Sequence, residues 1–393
     1  MSNESVVILD GARTPMGGLN GCLSPVSAPE LATTAIKAAV ERSGVDGADV
    51  DEVFMGCVLP AGLKQCPARQ SAIGAGIPKS TGAVTLNKAC GSGMQATIFG
   101  YDSIMAGTNK VVITGGMESM TNAPHLLLGA RGGVRTGHGQ MYDHMFLDGL
   151  EDAYTGRAMG SFAQETADER GLTREDMDAF AIESLTRAKN AIDSGALDAE
   201  TAPVTVVTRK GETVVKDDEQ PHKAALDRIP KLRPAFAKEG TITAANASSI
   251  SDGASALVLM SGSEAEQRGL SPMARIVGHA RHSQEPAEFT IAPIGAMEKL
   301  FASTGWSKDD VDLFEINEAF AMVTMLAMRD LGLDHDKVNV HGGACAQGHP
   351  IGSTGSRIIV SLMYALKKYG KKRGVAALCI GGGEATAVAI EML

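Results

Sequence analysis

Short apolar runs alternate along the chain with longer segments in which apolar residues recur every three or four positions. The runs 5–9, 53–55 and 111–114 are rich in valine and isoleucine, whereas 28–43 and 93–106 have helical spacing. Continuous apolar runs of this length are typical of strands buried on both faces. Their alternation with helices predicts an α/β fold with buried strands.

The amino-acid composition and the hydrophobic pattern change between about residues 121 and 250. Residues 128–139 are rich in glycine, basic and amide side chains, and a helix is predicted to open at Thr173, where Thr173 and Asp176 have the spacing of a capping box. After Gly240 the α/β texture returns. The domain boundaries that we predict are an N-terminal α/β half over 1–120, an inserted loop domain over 121–250 from which the chain returns to the N-terminal half until about 270, and a C-terminal α/β half over 271–393.

The two α/β halves resemble each other. Residues 51–56 are similar to 312–317, and residues 111–118 are similar to 377–384. Such matches predict a duplicated fold whose halves are related by a pseudo-twofold axis.

This duplication relates Cys90 to His349. Cys90 lies 36 residues after Phe54, and His349 lies 35 residues after Phe314. Equivalent loops of the two halves would therefore carry the thiol and the imidazole. We expect these loops to meet over one cleft at the ends of the central strands, where α/β sheets place their ligands.

Composition narrows the class of protein. The chain has 393 residues, a formal charge of −10 and a mean hydropathy near zero, which argues against a general nucleic-acid binder. Its six cysteines have no metal-ligand spacing and indicate reduced thiols, and no apolar run reaches the length of a membrane span. Neither end matches a targeting signal, so we expect a cytoplasmic protein with no membrane or nucleic-acid partner and no metal site.

Cys90 is the first candidate for chemistry. A strand-like run turns through glycines into a helix that is predicted to carry Met94, Ile98 and Met105 on its apolar side, so the thiol lies at a helix N-terminus. The positive end of the helix dipole favours thiolate over thiol. The alternative is a cysteine buried in the core, which is the commoner fate of a lone cysteine.

Three further segments offer polar groups near the C-terminus. His349 lies in a loop fixed by glycines and Pro350, which favours a positioned base over a surface histidine. Cys379 ends an apolar run just before Gly381–Gly383, whose backbone N–H groups can approach a ligand closely. Asn317 follows another apolar run with Glu318, so the two side chains are either structural caps or site residues.

Together these segments resemble the thiolases. The resemblance rests on Cys90–Gly93, Asn317–Phe320, Gly348–Pro350 and Cys379–Gly383. Supporting motifs occur in the same order at Arg13–Pro15, Gly115–Met120, Lys231–Phe236 and Asn246–Ala254. The fold that the resemblance implies is a thiolase-like duplicated α/β/α/β/α layered fold with an inserted loop domain.

The resemblance also implies roles for these residues. Cys90 would be the nucleophile that forms an acyl-enzyme, His349 the base that activates it, and Cys379 the base that removes an α-proton from the second acyl-CoA. One oxyanion would be held by His349 and a water fixed by Asn317, and the other by the N–H groups of Cys90 and Gly381.

The substrate that the resemblance implies is an acyl thioester of coenzyme A. The positions expected to contact CoA or the acyl group are Ser248, Phe236, Phe320, Met159, Lys223 and Arg228. Lys223 and Arg228 belong to a basic stretch that suits the CoA phosphates, although a solvated loop would look the same.

The implied reaction is the condensation of two acetyl-CoA to acetoacetyl-CoA and CoA, together with the reverse thiolysis. It requires no cofactor, because coenzyme A is itself substrate and product. The expected assembly is a homodimer or homotetramer, with residues 128–139 joining dimers into tetramers. The alternative within the family is a 3-ketoacyl-CoA thiolase of fatty-acid degradation with a broader chain-length range. Ala158 stands where many short-chain members have histidine, and His341 and Gln347 also depart from the common pattern.

Other classes explain fewer of these residues. Gly91, Gly93 and Ala96 satisfy a dinucleotide-binding fingerprint, but 107–116 lacks the acidic residue that a nicotinamide oxidoreductase needs. A CoA-binding scaffold without turnover would have no need of two thiols. Ketoacyl synthases usually employ one cysteine with two histidines, and no histidine occupies position 379.

Overall fold

The structure of the protein, a computed structural model, describes residues 4–393. Its strands are β1 (Val6–Arg13), β2 (Gly17–Gly18), β3 (Glu52–Gly56), β4 (Gly82–Leu86), β5 (Val111–Ser119), β6 (His125–Leu126), β7 (Tyr142–Asp143), β8 (Val204–Thr208), β9 (Gly211–Val215), β10 (Ser251–Ser261), β11 (Ala274–Ser283), β12 (Leu313–Ile316), β13 (Arg373–Ile380) and β14 (Glu384–Met392). Its α-helices are α1 (Ala28–Ser43), α2 (Pro67–Gly74), α3 (Ser92–Met105), α4 (Met159–Glu169), α5 (Arg174–Asp193), α6 (Glu219–Lys223), α7 (Gly262–Gln267), α8 (Ala292–Thr304), α9 (Ala321–Leu331), α10 (Ala344–Gln347) and α11 (Thr354–Tyr369).

The main sheet is mixed and runs β4-β3-β5-β10-β1-β11-β14-β13-β12, with β2 paired to β10. The pairs β3 with β4, β3 with β5 and β12 with β13 are parallel, and the other pairs are antiparallel. Only three residue pairs join β1 to β11, at the boundary between the two halves. The pattern of buried strands and helices therefore predicted the fold class correctly.

The duplication is visible in the strand order. Counting outward from the centre, β1, β10, β5 and β3 correspond to β11, β14, β13 and β12. Two aspartates repeat the same contact: Asp51 accepts backbone hydrogen bonds of 2.7 and 2.9 Å at the start of β5, and Asp312 accepts bonds of 3.0 and 2.9 Å at the start of β13. The similarity of 51–56 to 312–317 thus reflects a real structural repeat.

The second sequence match is wrong in register by four residues. The aspartate contacts make Val111 in the first half equivalent to Arg373 in the second half. The sequence match had instead made Val111 equivalent to Ala377. Gly115 and Gly116 lie inside β5, but Gly381–Gly383 form the turn after β13, where Gly382 and Gly383 adopt φ of +93° and +86°. The glycines match as letters, but the first pair meets a need for close packing inside a strand and the second run allows a left-handed turn.

The helices and strands stack in five layers. Helices α1 and α2 pack on the outer face of the N-terminal half, and α8 and α9 pack on the outer face of the C-terminal half. Between the halves lie α3 and α11, whose Met94, Ile98, Ile358 and Leu362 share one core with strands of both halves. This confirms the α/β/α/β/α arrangement. It also buries α11 from Thr354 to Leu366, so the loops that lead into α3 and α11 converge at the centre of the protein. Among residues 4–393, no helix has the length and apolar character that crossing a membrane requires.

Residues 120–250 leave the sheet after β5 and return to it at β10. Arg13 of β1 fastens this segment to the sheet. Its guanidinium is buried and donates to both carboxylate oxygens of Asp218, at 2.7 and 3.0 Å, and to Glu200. Because all three side chains are buried, the two acids depend on the direct ion pairs with Arg13 for most of their counter-charge, and the buried Arg357 contributes from farther away.

Arg13→Ala is therefore expected to lower the free energy of unfolding by about 3–5 kcal/mol, since it leaves two buried carboxylates unpaired. Denaturant titration at a fixed protein concentration measures this. The control is Arg170→Ala, which removes a partly exposed pair with Asp330 at 3.4 Å and is expected to cost about 0–1 kcal/mol. Equal losses in the two variants would show that Arg13 is not a structural anchor.

Candidate active site

The turn that carries Cys90 is held by side chains as well as by backbone. Asn87 Oδ1 accepts from the Ala89 N–H at 2.8 Å, and Ser92 Oγ accepts from the Lys88 N–H at 2.8 Å and donates to the Ala89 carbonyl at 2.7 Å. The left-handed residue of the turn is Ala89, with φ of +41°, and not one of the glycines. The turn therefore presents Cys90 in one orientation, two residues ahead of α3.

Helix α3 differs from the sequence prediction at one position. Met94 and Ile98 are buried as expected, but Met105 is 37% exposed in the last turn. The helix ends there, so Met105 lies beyond the central core.

The expectation that a helix N-terminus would favour the Cys90 thiolate is wrong for the free protein. Burial raises the pKa of Cys90 to about 11, although the Gly381 N–H lies within hydrogen-bonding reach of the sulfur and lowers it. Desolvation outweighs the nearby dipoles because the thiol faces an apolar wall that includes Leu59 and Ile351. Cys90 is therefore a thiol in the free protein and needs a base to become a nucleophile.

Cys379 lies at the end of β13 and is buried in a cluster that includes Phe320 and Met159. Burial raises the pKa of its thiol, and the proximity of Cys90 raises it further. A Cβ at Gly91, next to Cys90, would lie 2.3 Å from the Ile380 side chain, next to Cys379, so the two thiols lie on segments that are in direct contact. The structure thus brings together two thiols that are 289 residues apart in sequence.

His349 is positioned by hydrogen bonds at its backbone N–H and at its ring Nδ1. Its N–H donates to Ser249 O and Ser251 Oγ, each at 3.2 Å. Its Nδ1 lies 2.7 Å from Thr354 Oγ1, whose hydroxyl donates to the Pro350 carbonyl. Because the only proton of that hydroxyl is used in the bond to Pro350, the hydroxyl oxygen must accept a hydrogen bond from His349 Nδ1–H. The neutral ring therefore carries its proton on Nδ1 and a lone pair on Nε2.

The imidazole is neutral at neutral pH. Burial, with a smaller contribution from Arg357, lowers the pKa of His349 to about 3. Its Nε2 is buried and has no hydrogen-bond partner among residues 4–393. A neutral, oriented ring with a free Nε2 lone pair is suited to accept a proton.

Asn317 also has buried side-chain atoms that are free to form hydrogen bonds. It follows β12, where its N–H donates to the Ala377 carbonyl at 3.0 Å, and both atoms of its buried side-chain amide lack a partner within the described part of the chain. Buried polar atoms in native proteins are almost always hydrogen-bonded. The amide is therefore suited to hold a water or a substrate oxygen.

The loop that bears Asn317 is braced by Glu318, which the sequence offered as a structural cap or a site residue, through partners that the sequence did not single out. Glu318 accepts from Ser184 Oγ at 2.7 Å, from Asn339 Nδ2 at 2.9 Å and from the Cys345 N–H at 3.1 Å. Asn339 also bonds to both backbone groups of Ile316 at 2.8 Å. These partners lie far from Glu318 in sequence, so only the left-handed Asn339, with φ of +50°, would have offered a signal.

The acyl and pantetheine candidates gather at one side of this cleft. Phe236 is 38% exposed, and its ring meets Phe320 edge to face at 6.1 Å. The same ring covers Gly160, where a Cβ would lie 2.2 Å from it. Met159 Sδ would lie 3.4 Å from a Cβ at Gly381, which places Met159 beside the turn that follows Cys379.

The remaining candidates are nearer the surface. Ser248 is half-buried and donates its N–H to the Ala319 carbonyl at 3.0 Å. Lys223 is exposed and already pairs with Glu219, whereas Arg228 is exposed without an ion pair among residues 4–393. Of the two basic residues, Arg228 is therefore the freer one for an anion.

Three positions that depart from the family pattern have clear surroundings. His341 Nε2 lies 3.1 Å from the Tyr369 hydroxyl, and burial lowers the pKa of its ring. Gln347 donates to the His341 carbonyl at 2.9 Å, so these two replacements support each other. Ala158 is half-buried and precedes α4 beside Met159.

Comparison with known proteins shows similarity to thiolases over almost the whole described chain. A family model described as "Thiolase, N-terminal domain" matches residues 6–263, and "Thiolase, C-terminal domain" matches residues 270–392. An acetyl-CoA acetyltransferase of Rhizobium meliloti is 47% identical, with 100% of both chains covered, and a probable acetyl-CoA acetyltransferase of Dictyostelium discoideum is 46% identical over 99% of this chain and 94% of its own.

Solved structures agree. A Bacillus anthracis acetyl-CoA acetyltransferase has a TM-score of 0.97 at 40% identity, with 99% of each chain covered. The Acat5 thiolase of Ascaris suum, crystallised in complex with coenzyme A, has a TM-score of 0.94 at 41% identity, covering 99% of this chain and all of its own.

Proposed function

This chain belongs to the thiolase family, and from that premise we propose that it catalyses the condensation of two acetyl-CoA to acetoacetyl-CoA and CoA, and the reverse thiolysis. The observation that carries the proposal is the direct contact between the segments that bear Cys90 and Cys379, where a Cβ at Gly91 would lie 2.3 Å from the Ile380 side chain. A nicotinamide oxidoreductase or a passive scaffold would need neither thiol.

The first half-reaction is acylation of Cys90. His349 Nε2 takes the thiol proton, and the Cys90 sulfur attacks the acetyl-CoA carbonyl. The carbonyl oxygen becomes an oxyanion, which the N–H groups of Cys90 and Gly381 can hold; each such donor is worth about 3 kcal/mol of barrier. The bond from carbon to the CoA sulfur then breaks, and the departing sulfur takes the Cys379 proton. This leaves acetyl-Cys90, a Cys379 thiolate and a protonated His349.

The second half-reaction uses that thiolate. Cys379 removes a proton from the α-carbon of a second acetyl-CoA, and the carbanion attacks the acetyl group on Cys90. The Cys90 sulfur leaves and recovers its proton from His349, so every proton is accounted for over one cycle. Protonated His349 and a water held by Asn317 can stabilise the enolate oxygen in the meantime. Because burial raises the pKa of Cys379, its thiolate is a strong base once formed.

The test is thiolysis. Purified protein mixed with acetoacetyl-CoA and CoA is expected to form two molecules of acetyl-CoA. The loss of acetoacetyl-CoA absorbance measures the rate of this reaction. The same assay with longer 3-ketoacyl-CoA substrates tests whether the small side chain of Ala158, beside Met159, admits a longer acyl chain. Rates that rise with chain length would favour the broader-range thiolase of fatty-acid degradation, and absence of turnover on every substrate would refute the proposal.

Arg228 is proposed to contact a CoA phosphate. Arg228→Ala is expected to weaken CoA binding by about threefold to tenfold, equivalent to about 0.7–1.4 kcal/mol. Lys223→Ala is the matched control with a smaller effect, since Lys223 is engaged by Glu219. Calorimetric titration with CoA at two salt concentrations measures both, and a larger loss in Lys223→Ala would reverse the assignment.

We also infer the setting of the enzyme. Its six cysteines are all free, which suits the reducing cytoplasm. We expect at least a homodimer, and the large apolar side chains exposed at Leu127, Leu128 and Val134 support a homotetramer in which this loop joins two dimers. Light scattering after size exclusion distinguishes the two, and a monomer at micromolar concentration would contradict both.

A further inference from the structure

Glu118 is a fully buried carboxyl group that the reaction above does not use. It lies in β5, and its oxygens accept from the N–H groups of Val58 at 3.0 Å, Leu59 at 3.1 Å and Gly352 at 2.9 Å. The Cys57 thiol donates to the same carboxyl at 3.7 Å. One side chain thus joins the loop after β3 in the N-terminal half to the loop ahead of α11 in the C-terminal half.

Both of these loops line the surroundings of Cys90. Val58, Leu59 and Ile351 form an apolar cluster against which Cys90 packs, and Gly352 directly follows Ile351 in the loop that carries His349. The contact is close, because a Cβ at Gly352 would lie 2.7 Å from Glu118 Oε2. A shift of the carboxyl group would therefore move two walls of the cleft.

The carboxyl group also acts on Cys90 through its charge. Burial raises the pKa of Glu118 to about 7, although the three N–H donors lower it, and the charge of Glu118 raises the pKa of Cys90. Two titratable side chains face Glu118 from neighbouring segments. The Cys57 thiol donates a hydrogen bond to it, and Cys90 is close enough for the charge of Glu118 to affect its pKa. Asp252 of β10 bonds to the end of β5 and the turn that follows, and His349 directs its Nδ1 to Thr354.

We propose that Glu118 is a positioning residue for the reaction proposed above: it holds together the two loops that flank Cys90, and its negative charge keeps the proton on Cys90 until His349 removes it. A free thiolate in this cleft would react with oxidants and electrophiles before substrate binds. A carboxylate near the thiol opposes that ionisation.

The experiment measures how fast Cys90 is alkylated by iodoacetamide as pH rises, with the modified peptide identified by mass spectrometry. Glu118→Gln removes the charge, and Glu118→Asp keeps it. We expect Glu118→Gln to be alkylated at least about threefold faster than wild type at pH 8, which corresponds to about half a pKa unit, and Glu118→Asp to stay near wild type. A purely structural role would change turnover in both variants without moving this pH profile.

The wild-type protein supplies a second readout that needs no variant. If Glu118 ionises near neutrality, the logarithm of the alkylation rate should rise with a slope below one between about pH 6 and pH 8, and with a slope of one in Glu118→Gln. Superimposable profiles for wild type and Glu118→Gln, or a slope of one in wild type if the variants do not fold, would overturn the proposal. Alkylation needs no acyl-CoA, so this outcome is independent of whether the protein has thiolase activity.

Discussion

Cys90→Ser is expected to lower the rate of acetoacetyl-CoA thiolysis by about 10⁴-fold or more, which is the scale seen when a catalytic nucleophile is removed. The serine hydroxyl is a far poorer acid than a thiol, so transfer of its proton to His349 is much less favourable than transfer from Cys90. CoA binding should change by less than about threefold, because Cys90 lies in the apolar cleft and not among the exposed basic residues. Steady-state rates and calorimetric titration with CoA measure the two effects.

The matched control is Cys66→Ser, which replaces an exposed free cysteine outside the cleft and should leave turnover unchanged. Retention of more than about one hundredth of the wild-type rate in Cys90→Ser would mean that the nucleophile is another residue.

Cys379→Ala is expected to separate the two half-reactions. Acetylation of Cys90 by acetyl-CoA should persist, since protonated His349 can supply the proton to the departing CoA. Condensation should fall by about 10²–10⁴-fold, because neutral His349, with its pKa lowered to about 3, is a much weaker base for the α-proton than the Cys379 thiolate. Acetyl-enzyme should therefore accumulate, which quenched-flow mass spectrometry measures alongside the rate of acetoacetyl-CoA formation.

Cys345→Ala is the control for that variant. Cys345 is also a free thiol near the cleft, but burial and Glu318 raise its pKa well above the usual range, and its N–H serves only to bond Glu318. It should condense acetyl-CoA at a rate near wild type. Condensation by Cys379→Ala within tenfold of wild type would assign the base to a different group.

The sequence was sufficient for the fold because its hydrophobic pattern is local. The buried strands β1 and β5 contain the apolar runs at 6–9 and 111–113, and the helix over 28–43 was placed at its observed bounds. The duplication was also detectable, since both halves have an aspartate, Asp51 or Asp312, at the position that makes this backbone contact. The register of the glycine match was not, because glycine serves both close packing and left-handed turns.

The site was predictable only in part for a related reason. Cys90, His349, Cys379 and Asn317 lie at the ends of elements, where turns and glycines mark them in the sequence. Their supports are different, because Glu118, Glu318, Asn339 and Arg13 are charged or polar residues whose partners come from distant segments. No periodicity signals such a pair, so buried networks of this kind appear only in three dimensions.

The protonation state of Cys90 shows a second limit. The sequence places it near a helix N-terminus, which favours thiolate, but it does not report how deeply the sulfur is buried. Burial is the larger effect here and raises the pKa of Cys90 to about 11. For this reason the reaction that we propose begins with transfer of the thiol proton to neutral His349.

The central claim is that acyl transfer proceeds through a thioester on Cys90. Wild-type protein mixed with isotopically labelled acetyl-CoA, quenched in acid and digested can be mapped by mass spectrometry. We expect one label per chain, on the peptide that contains Cys90. A label on the peptide of Cys379 or Cys345, or turnover with no covalent label at all, would contradict the account.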